Sequence, residues 1–212
     1  MNNSDLITSL KEKNELSFSP LIQTQGFVVS EGTSKGSVIY GVDPLTFEKV
    51  SSLNLPLVNG KAIIGSELAR LLDLKENDKV TLAFANGDRS FNNLAKLKSF
   101  TIAKVIDHGL YEKNLRSIYL LRSDVQNILD LQNKSNQLII GLADNSLENI
   151  TKFVKQFNFS YGPVYRAYPY WHEFAPLLEA VQVEKLTLTL VCLLYTSPSP
   201  RDATLSRMPS SA

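Results

Sequence analysis

The sequence predicts an α+β fold, with an α/β subdomain formed by both ends of the chain and a β-rich subdomain inserted between them. Helical patterns with one apolar face alternate with strand patterns near both ends, whereas short strand patterns dominate the middle. The 212 residues, of which 43% are hydrophobic, suffice for one large domain or two small ones. We therefore expect residues 1–33 and 136–185 to form the α/β subdomain and residues 34–135 to form the insert.

The first elements are a short helix and two strands. A helix capped by Ser4 is predicted over residues 4–12, because its leucine and isoleucine residues share one face. The extended stretch LSFSPLIQTQGFVVSEG follows, and GSVIYGVDP is a second strand. Asp43 and Pro44 form a pair that is typical of a turn, and this turn is expected to close the strand.

Strand and helix patterns alternate through the middle of the chain. A strand at residues 62–64 precedes a helix that Ser66 is expected to cap, and Asn77 suits the left-handed conformation of the tight turn that follows. Alternating apolar residues predict a strand at residues 80–84. SFTIAKVID and SIYLL predict two more strands, before a helix opened by Ser123. We recognise no internal repeat along the chain.

The last third begins with a strand, a helix and a strand. QLIIGLAD predicts the first strand, residues 147–157 carry one apolar helical face, and PVYRAY is expected to return as the second strand. The final helix, HEFAPLLEAVQVEK, runs into the uncharged stretch LTLTLVCLLY and then into the polar segment TSPSPRD. The uncharged stretch is shorter than the roughly 20 apolar residues that a spanning helix needs.

Composition argues against several classes of function. A formal net charge of +1 predicts no nucleic-acid partner. Cys192 is the only cysteine, which excludes an intrachain disulfide and a cysteine-rich zinc site. The two histidines lack the ligand spacing of a metal site, and no phosphate-binding loop is recognisable. We therefore expect neither a metal nor a cofactor.

Asp107 and His108 are neighbours of types suited to acid–base catalysis. No nucleophile motif accompanies them, so a soluble α/β hydrolase is the less favoured reading. His108 and His172 are expected to be structural or surface residues, and the aromatic cluster at residues 165–171 is expected to pack rather than to bind. The chain is thus predicted to be non-catalytic.

Three stretches resemble one family in their order and spacing. They are IYGVDPLTFEKVSSL, AIIGSELARLLDLKENDKVTL and YWHEFAPLLEAVQVEKL. Together they resemble the periplasmic domain of lipoprotein-releasing ABC-transporter permeases of the LolC/LolE type, a group akin to MacB and FtsX-type permeases. The resemblance covers about residues 5–191. It implies a Porter-like α/β part and an inserted β-rich Sabre-like part, in the same places as the two subdomains predicted above.

The resemblance also implies a location, which is the bacterial inner membrane with this domain in the periplasm. In the family a membrane helix begins at the stretch after Lys185, so residues 186–191 are expected to be the first turns of that helix, cut short. Residues 192–212 depart from the family and are expected to be a non-native tail. The family has a membrane helix and a first strand upstream of the segment at Met1, so the start is expected to be truncated as well.

The implied partners are a cytoplasmic ATPase subunit, a paralogous or identical permease, a lipoprotein cargo and a periplasmic lipoprotein carrier. The final helix is expected to relay ATP-driven movement, since a rigid helix transmits a displacement that a flexible linker absorbs. The relay residues are Phe174, Leu177, Leu178, Val181 and Lys185. The alternative is a MacB-like or FtsX-like permease with a different cargo or a regulated cell-wall hydrolase.

A loop at residues 86–98 is the expected partner contact, because it mixes basic and apolar side chains between two strands. The candidate contacts are Arg89, Phe91, Leu94, Lys96 and Leu97. In the carrier-binding member of the family, a proline-containing loop at this position docks the carrier. The loop of this chain contains no proline, and in that respect it departs from the family.

Overall fold

The computed structural model of the chain describes residues 16–30, 32–84, 96–132 and 134–196. The helix predicted at residues 4–12 and most of the predicted tail lie outside the described residues. The chain divides into two compact units, Met1–Asn145 and Ser146–Ala212. The mixed α and β content expected from the sequence is confirmed.

The first unit contains the strands and the shorter helices among the described residues. The strands are β1 (Leu16–Ser30), β2 (Thr33–Val42), β3 (Lys61–Gly65), β4 (Lys79–Phe84), β5 (Lys96–Ile106), β6 (Ser117–Leu121) and β7 (Gln137–Leu142). The helices are α1 (Pro44–Ser51), α2 (Ser66–Leu71), α3 (Tyr111–Arg116) and α4 (Arg122–Leu129).

Six of these strands close into a ring in the order β1-β2-β6-β3-β5-β4, and β4 returns to β1. The second half of β1 makes the closure, because it pairs with β2 on one edge and with β4 on the other. The β2–β6 and β3–β5 pairs are parallel and the other four are antiparallel. Residues 16–21 of β1 leave the ring and pair with β7.

The ring consists of two similar halves, β1-β2-β3-α2 and β4-β5-β6-α4. Each half opens with an antiparallel strand pair, and the second strand of each pair lies parallel to the third strand of the other half. The segments SELARLLDL (66–74) and SDVQNILDL (123–131) occupy matching places and are identical at four of nine positions. Asp73 and Asp130 take matching left-handed conformations, with φ of 49° and 54°. The expectation that the chain contains no internal repeat is therefore wrong.

The core of the ring receives at least one fully buried aliphatic side chain from each strand. Six of these side chains, one from each strand, are Val28, Ile39, Ile64, Leu82, Ile102 and Leu120, each 0% exposed. Burial of a side chain of this size contributes about 1.5–3 kcal/mol. A second cluster packs around α1, where the Tyr119 ring stacks on Tyr40 with centroids 5.2 Å apart and meets Phe47 at 6.2 Å.

The second unit contains α5 (Leu147–Tyr161), a 3₁₀ helix (Tyr170–Phe174) and α6 (Ala175–Thr196). The Ser146 hydroxyl accepts a bond from Asn149 N and caps α5. Residues 163–168, expected to be a strand, pair with no described strand. The Asn158 side chain instead bonds Ala167 on both backbone groups, at 2.7 and 3.0 Å, so this segment is held to its own helix.

Two expectations about helix starts are wrong. Pro44 does not close a turn but begins α1, and the Asp43 carboxylate accepts from Leu45 N at 3.3 Å as its cap. Asp at the cap position followed by Pro at the first helical position is a signal for a helix start. The prediction of a turn did not take this signal into account.

The serine expected to cap α2 does not act as its cap, and the serine expected to open α4 lies one residue after its start. Ser66 is the first residue of α2 and Ser123 the second residue of α4, while Gly65 and Leu121 hold the cap positions with no side-chain bond. Both helices follow a ring strand without a loop, so the strand end takes the place of the cap. The left-handed conformation predicted for Asn77 is confirmed, with φ of 74°.

Candidate functional site

The loop predicted to contact a partner lies largely in the segment 85–95, outside the described residues. Arg89, Phe91 and Leu94 belong to that segment, so their role stays a prediction. Lys96 and Leu97 are the two candidates that the structure describes, and they begin β5.

Lys96 and Leu97 have different surroundings. Lys96 Nζ donates to Ile128 O at 2.7 Å and lies 2.5 Å from Asp130 Oδ2, so its charge is engaged with the end of α4. The Leu97 side chain is 66% exposed. Of the two, Leu97 offers apolar surface that a partner can cover, whereas Lys96 ties two elements of the ring together.

The helix predicted to relay movement is continuous through the described backbone. The 3₁₀ helix leads into α6 at Ala175, whose backbone is already helical with φ −52° and ψ −46°. Pro176 is the second residue of α6, where the missing N–H is tolerated. Phe174 ends the 3₁₀ helix, and the other four predicted relay residues lie on α6.

Apolar side chains of α6 are exposed from Val181 to Tyr195. Val181 is 40% exposed, and exposure persists to Tyr195, which is 88% exposed. Residues 186–195 carry no charge and are exposed at every position. Apolar side chains occupy adjacent positions as well as positions three and four apart, so they surround the helix rather than form one stripe.

The two threonines of this stretch hydrogen-bond within the helix. Thr187 Oγ1 donates to Val183 O at 2.9 Å, and Thr189 Oγ1 donates to Lys185 O at 2.8 Å. These bonds satisfy the hydroxyl donors without water. No helix in the described part of the chain is both long and apolar enough to qualify as a membrane span.

Asp107 and His108 take part in a loop network at the start of α3. Asp107 Oδ1 accepts from Gly109 N at 2.8 Å and from Asn114 Nδ2 at 2.6 Å, and the buried Asn114 Oδ1 accepts from His108 N at 2.8 Å. His108 Nε2 lies 3.3 Å from the Tyr119 hydroxyl. These contacts give both residues a structural role.

The electrostatics of this pair follow from the same contacts. Burial, with the charge of Lys113 nearby, lowers the pKa of His108. The backbone bond from Gly109 and the amide bond from Asn114 lower the pKa of Asp107. The neutral imidazole and the ionised carboxylate are therefore favoured in the folded protein.

The other histidine lies in the second unit. The His172 ring stacks on Tyr168 with centroids 4.6 Å apart, and Tyr170 meets Trp171 edge-on at 5.0 Å. This is packing of the kind expected for the aromatic cluster. Among the described residues, no three His, Cys, Asp or Glu side chains form a group able to hold a metal ion.

A groove that the sequence did not indicate lies beside β2. Its volume is about 690 Å³; Phe27, Lys35 and Gly36 form the strand wall, and Leu71, Tyr111 and Arg116 form the helix wall. Phe27 and Tyr111 are 54% and 57% exposed, so the groove presents apolar surface to solvent. Its residues come from distant parts of the chain, and no spacing pattern joins them.

No family model and no curated protein matches the chain. It is similar to the periplasmic region of MacB from Actinobacillus actinomycetemcomitans, with 13% identity, a TM-score of 0.45 and coverage of 73% of this chain and 72% of that chain. It is also similar to the extracellular domain of the noncanonic ABC-type transporter YknZ from Gram-positive bacteria, with 12% identity, a TM-score of 0.46 and coverage of 76% and 84%. A domain assigned to a permease protein from Porphyromonas gingivalis gives 12% identity, a TM-score of 0.37 and coverage of 68% and 63%.

Proposed function

We propose that this chain is the non-catalytic periplasmic domain of a lipoprotein-releasing ABC-transporter permease in the bacterial inner membrane. The observation that carries the proposal is the second half of α6, where an uncharged stretch exposes apolar side chains on every side of the helix. The order and spacing of the three stretches that resemble the family support it as well.

The chemistry of residues 186–191 suits a lipid environment. Apolar side chains that surround a helix have a lower free energy in hydrocarbon than in water. The threonine hydroxyls already bond to the backbone, so their burial in lipid leaves no donor unsatisfied. The six residues expected to be the first turns of the membrane helix, 186–191, extend about 9 Å, or roughly a third of a hydrocarbon core of about 30 Å. In this proposal α6 enters the membrane just after Lys185.

The role of α6 is then to relay movement. ATP hydrolysis in a cytoplasmic ATPase subunit shifts the membrane helices, and α6 carries the shift into the periplasmic domain without a glycine or a break. Val181 and Lys185 lie on the exposed helix between the 3₁₀ helix and the apolar stretch. The permease works beside a paralogous or identical permease, and residues 1–33 and 136–185 act as the Porter-like part.

The cargo in this proposal is a lipoprotein, which is passed to a periplasmic carrier. The inserted part at residues 34–135 is the Sabre-like subdomain, and the loop at residues 86–98 is the carrier contact. Leu97 is the described contact residue with free apolar surface, at 66% exposure. A MacB-like or FtsX-like permease remains the second candidate, and a pull-down from periplasmic extract that recovers a cell-wall hydrolase and neither lipoprotein nor carrier would favour it.

Replacement of Leu188 and Leu190 by lysine is expected to weaken membrane association. Both residues lie in the first turns of the proposed membrane helix, where a charge costs less than the value of about 2.5–3.5 kcal/mol at the helix centre, and the lipid contacts of both leucines are lost as well. We expect the wild-type chain to float with vesicles of phosphatidylethanolamine and phosphatidylglycerol in a density gradient. The measurement uses 0.5 M salt, which screens attraction between lysine and anionic lipid.

The matched control is Phe159→Lys on α5, because Phe159 is 93% exposed but lies outside the apolar stretch. This variant is expected to float as the wild type does. The proposal fails if the double lysine variant floats equally well, or if Phe159→Lys releases the chain to the same extent.

A further inference from the structure

One edge of β2 is open over its first five residues. Residues 33–37 pair with β1 on one side only, since β6 begins opposite Val38 with Ser117. An open strand edge presents unpaired backbone N–H and C=O groups that another strand can bond. In the described part of the chain, the Ser37 hydroxyl bonds Lys35 O at 3.4 Å, and no side chain of α2 or α3 bonds to this edge.

The open edge forms one wall of the 690 Å³ groove, and the apolar side chains of α2 and α3 form the other. Gly36 leaves space on the strand wall, because a Cβ atom there would meet only Phe27 Cε1 at 3.9 Å. Leu71 and Tyr111 are 40% and 57% exposed on the helix wall. A free strand edge beside an apolar helix wall is the geometry in which extended peptides are recognised by strand addition.

In the other half of the ring, the position equivalent to the groove is occupied by a side chain of the chain itself. Pairing of β5 with β3 begins at Thr101, and pairing of β2 with β6 begins at Val38. Thr101 is therefore equivalent to Val38. Lys98 and Lys35, each three residues earlier, are equivalent as well. There the first residue of β5, Lys96, reaches across to Ile128 O. Ile128 corresponds to Leu71 in the repeated helix segment. Lys96 therefore occupies this position in the half that contains β5, whereas the half with the groove leaves it open.

The charge of the groove is positive. Lys35 and Arg116 line it, and no acidic side chain does among the described residues. Lys35 makes no ion pair within the part of the chain that is described. Arg116 Nε lies 3.8 Å from Glu112 Oε2 with both side chains exposed, an arrangement that contributes at most about 1 kcal/mol.

We propose that this groove binds an extended, acidic segment of a partner protein as an added strand on residues 33–37 of β2. Five residues of such a segment extend about 17 Å. Its backbone bonds the open edge, its apolar side chains contact Phe27, Leu71 and Tyr111, and its carboxylates pair with Lys35 and Arg116. The inference rests on the first unit alone and does not depend on α6 entering a membrane.

The probe is the labelled peptide acetyl-EVTVE-amide, titrated into the full chain and followed by fluorescence anisotropy. We expect saturable binding, and we expect Lys35→Glu to weaken it at least about tenfold, which corresponds to 1.4 kcal/mol. Lys98→Glu, the same change at the matching place in the other half, is expected to leave the Kd within about twofold. Gly36→Val is expected to weaken binding by filling the groove without disturbing the strand.

Two further peptides test the mode of binding. A copy with every amide nitrogen methylated keeps every side chain but has no backbone N–H to donate from either edge, and it is expected not to bind. The peptide acetyl-KVTVK-amide is expected to bind at least about tenfold more weakly than the acidic one. Absence of binding to a cooperatively melting wild-type chain, equal binding of the methylated copy, or equal loss in Lys98→Glu would each overturn the proposal.

Discussion

Leu120→Ala is expected to lower the free energy of unfolding by about 2–5 kcal/mol, the largest loss among the substitutions considered. Leu120 is 0% exposed in the middle of β6, inside the ring. Its register partners are Gly41 on β2 and Ala62 on β3, whose side chains are small. Because these neighbours cannot fill the vacated space, the substitution leaves a cavity as well as losing buried apolar surface.

Urea unfolding of the full chain measures this loss. The matched control is Leu97→Ala, which removes the same atoms from a side chain that is 66% exposed on β5. The control is expected to change the free energy of unfolding by no more than about 0.5 kcal/mol. Equal losses in the two variants would show that the ring interior does not carry the stability of the first unit.

Gly65→Val is expected to destabilise the protein by about 3 kcal/mol, at the upper end of what overpacking costs. A Cβ atom at Gly65 would meet the backbone of Asn114, whose carbonyl carbon would lie 2.8 Å away and whose oxygen would lie closer still. Asn114 is buried, its N–H bonds Leu110 O, and its side chain bonds the loop at Asp107 and His108. The backbone of α3 therefore cannot move aside without breaking that network.

Thermal unfolding distinguishes this clash from a general effect of replacing glycine. In a chain of this size a loss of 3 kcal/mol corresponds to a fall in Tm of about 6–12 °C. Gly36→Val is the control, because its Cβ atom would meet only Phe27 Cε1 at 3.9 Å. Similar Tm values for Gly65→Val and the wild type would mean that α3 has more freedom than its hydrogen bonds indicate.

Local patterns predicted most of the elements. The alternation of Val80, Leu82 and Phe84 predicted β4, and all three side chains are buried at 1% or less. Asn77 was recognised as left-handed because its side chain tolerates that conformation. The apolar spacing in α4 and α5 likewise predicted helices whose starts lie within one residue of the observed ones. Each of these features depends on neighbours in sequence.

Predictions of secondary structure were wrong where a local pattern is compatible with more than one structure. Asp43-Pro44 suits a turn and a helix start equally, and packing of Phe47 in the second cluster selects the helix. PVYRAY has the composition of a strand, but no described strand pairs with it. Strand propensity measures how well a segment fits into a sheet. A segment of high propensity therefore does not form a strand where no neighbouring strand is available for pairing.

The candidate site divides in the same way. The continuous final helix and its uncharged apolar stretch were apparent from the order of residues. The engagement of Lys96 with the end of α4 was not, since Lys96 and Ile128 meet only after the ring closes. The groove beside β2 could not be predicted from the sequence either, because no spacing pattern relates Phe27, Lys35 and Tyr111 to one another.

By itself, the sequence determined the mixed α and β content, the positions of most strands and helices, and the uncharged stretch that ends α6. These follow from periodicity, turn chemistry and charge, which act between residues a few positions apart. Only the tertiary structure decided that six strands close into a ring, and that one half of it is bridged while the other is open. Those features depend on pairings such as Gly26 with Phe84 and Val38 with Ser117, and contacts between residues so distant in the chain leave no local pattern to read.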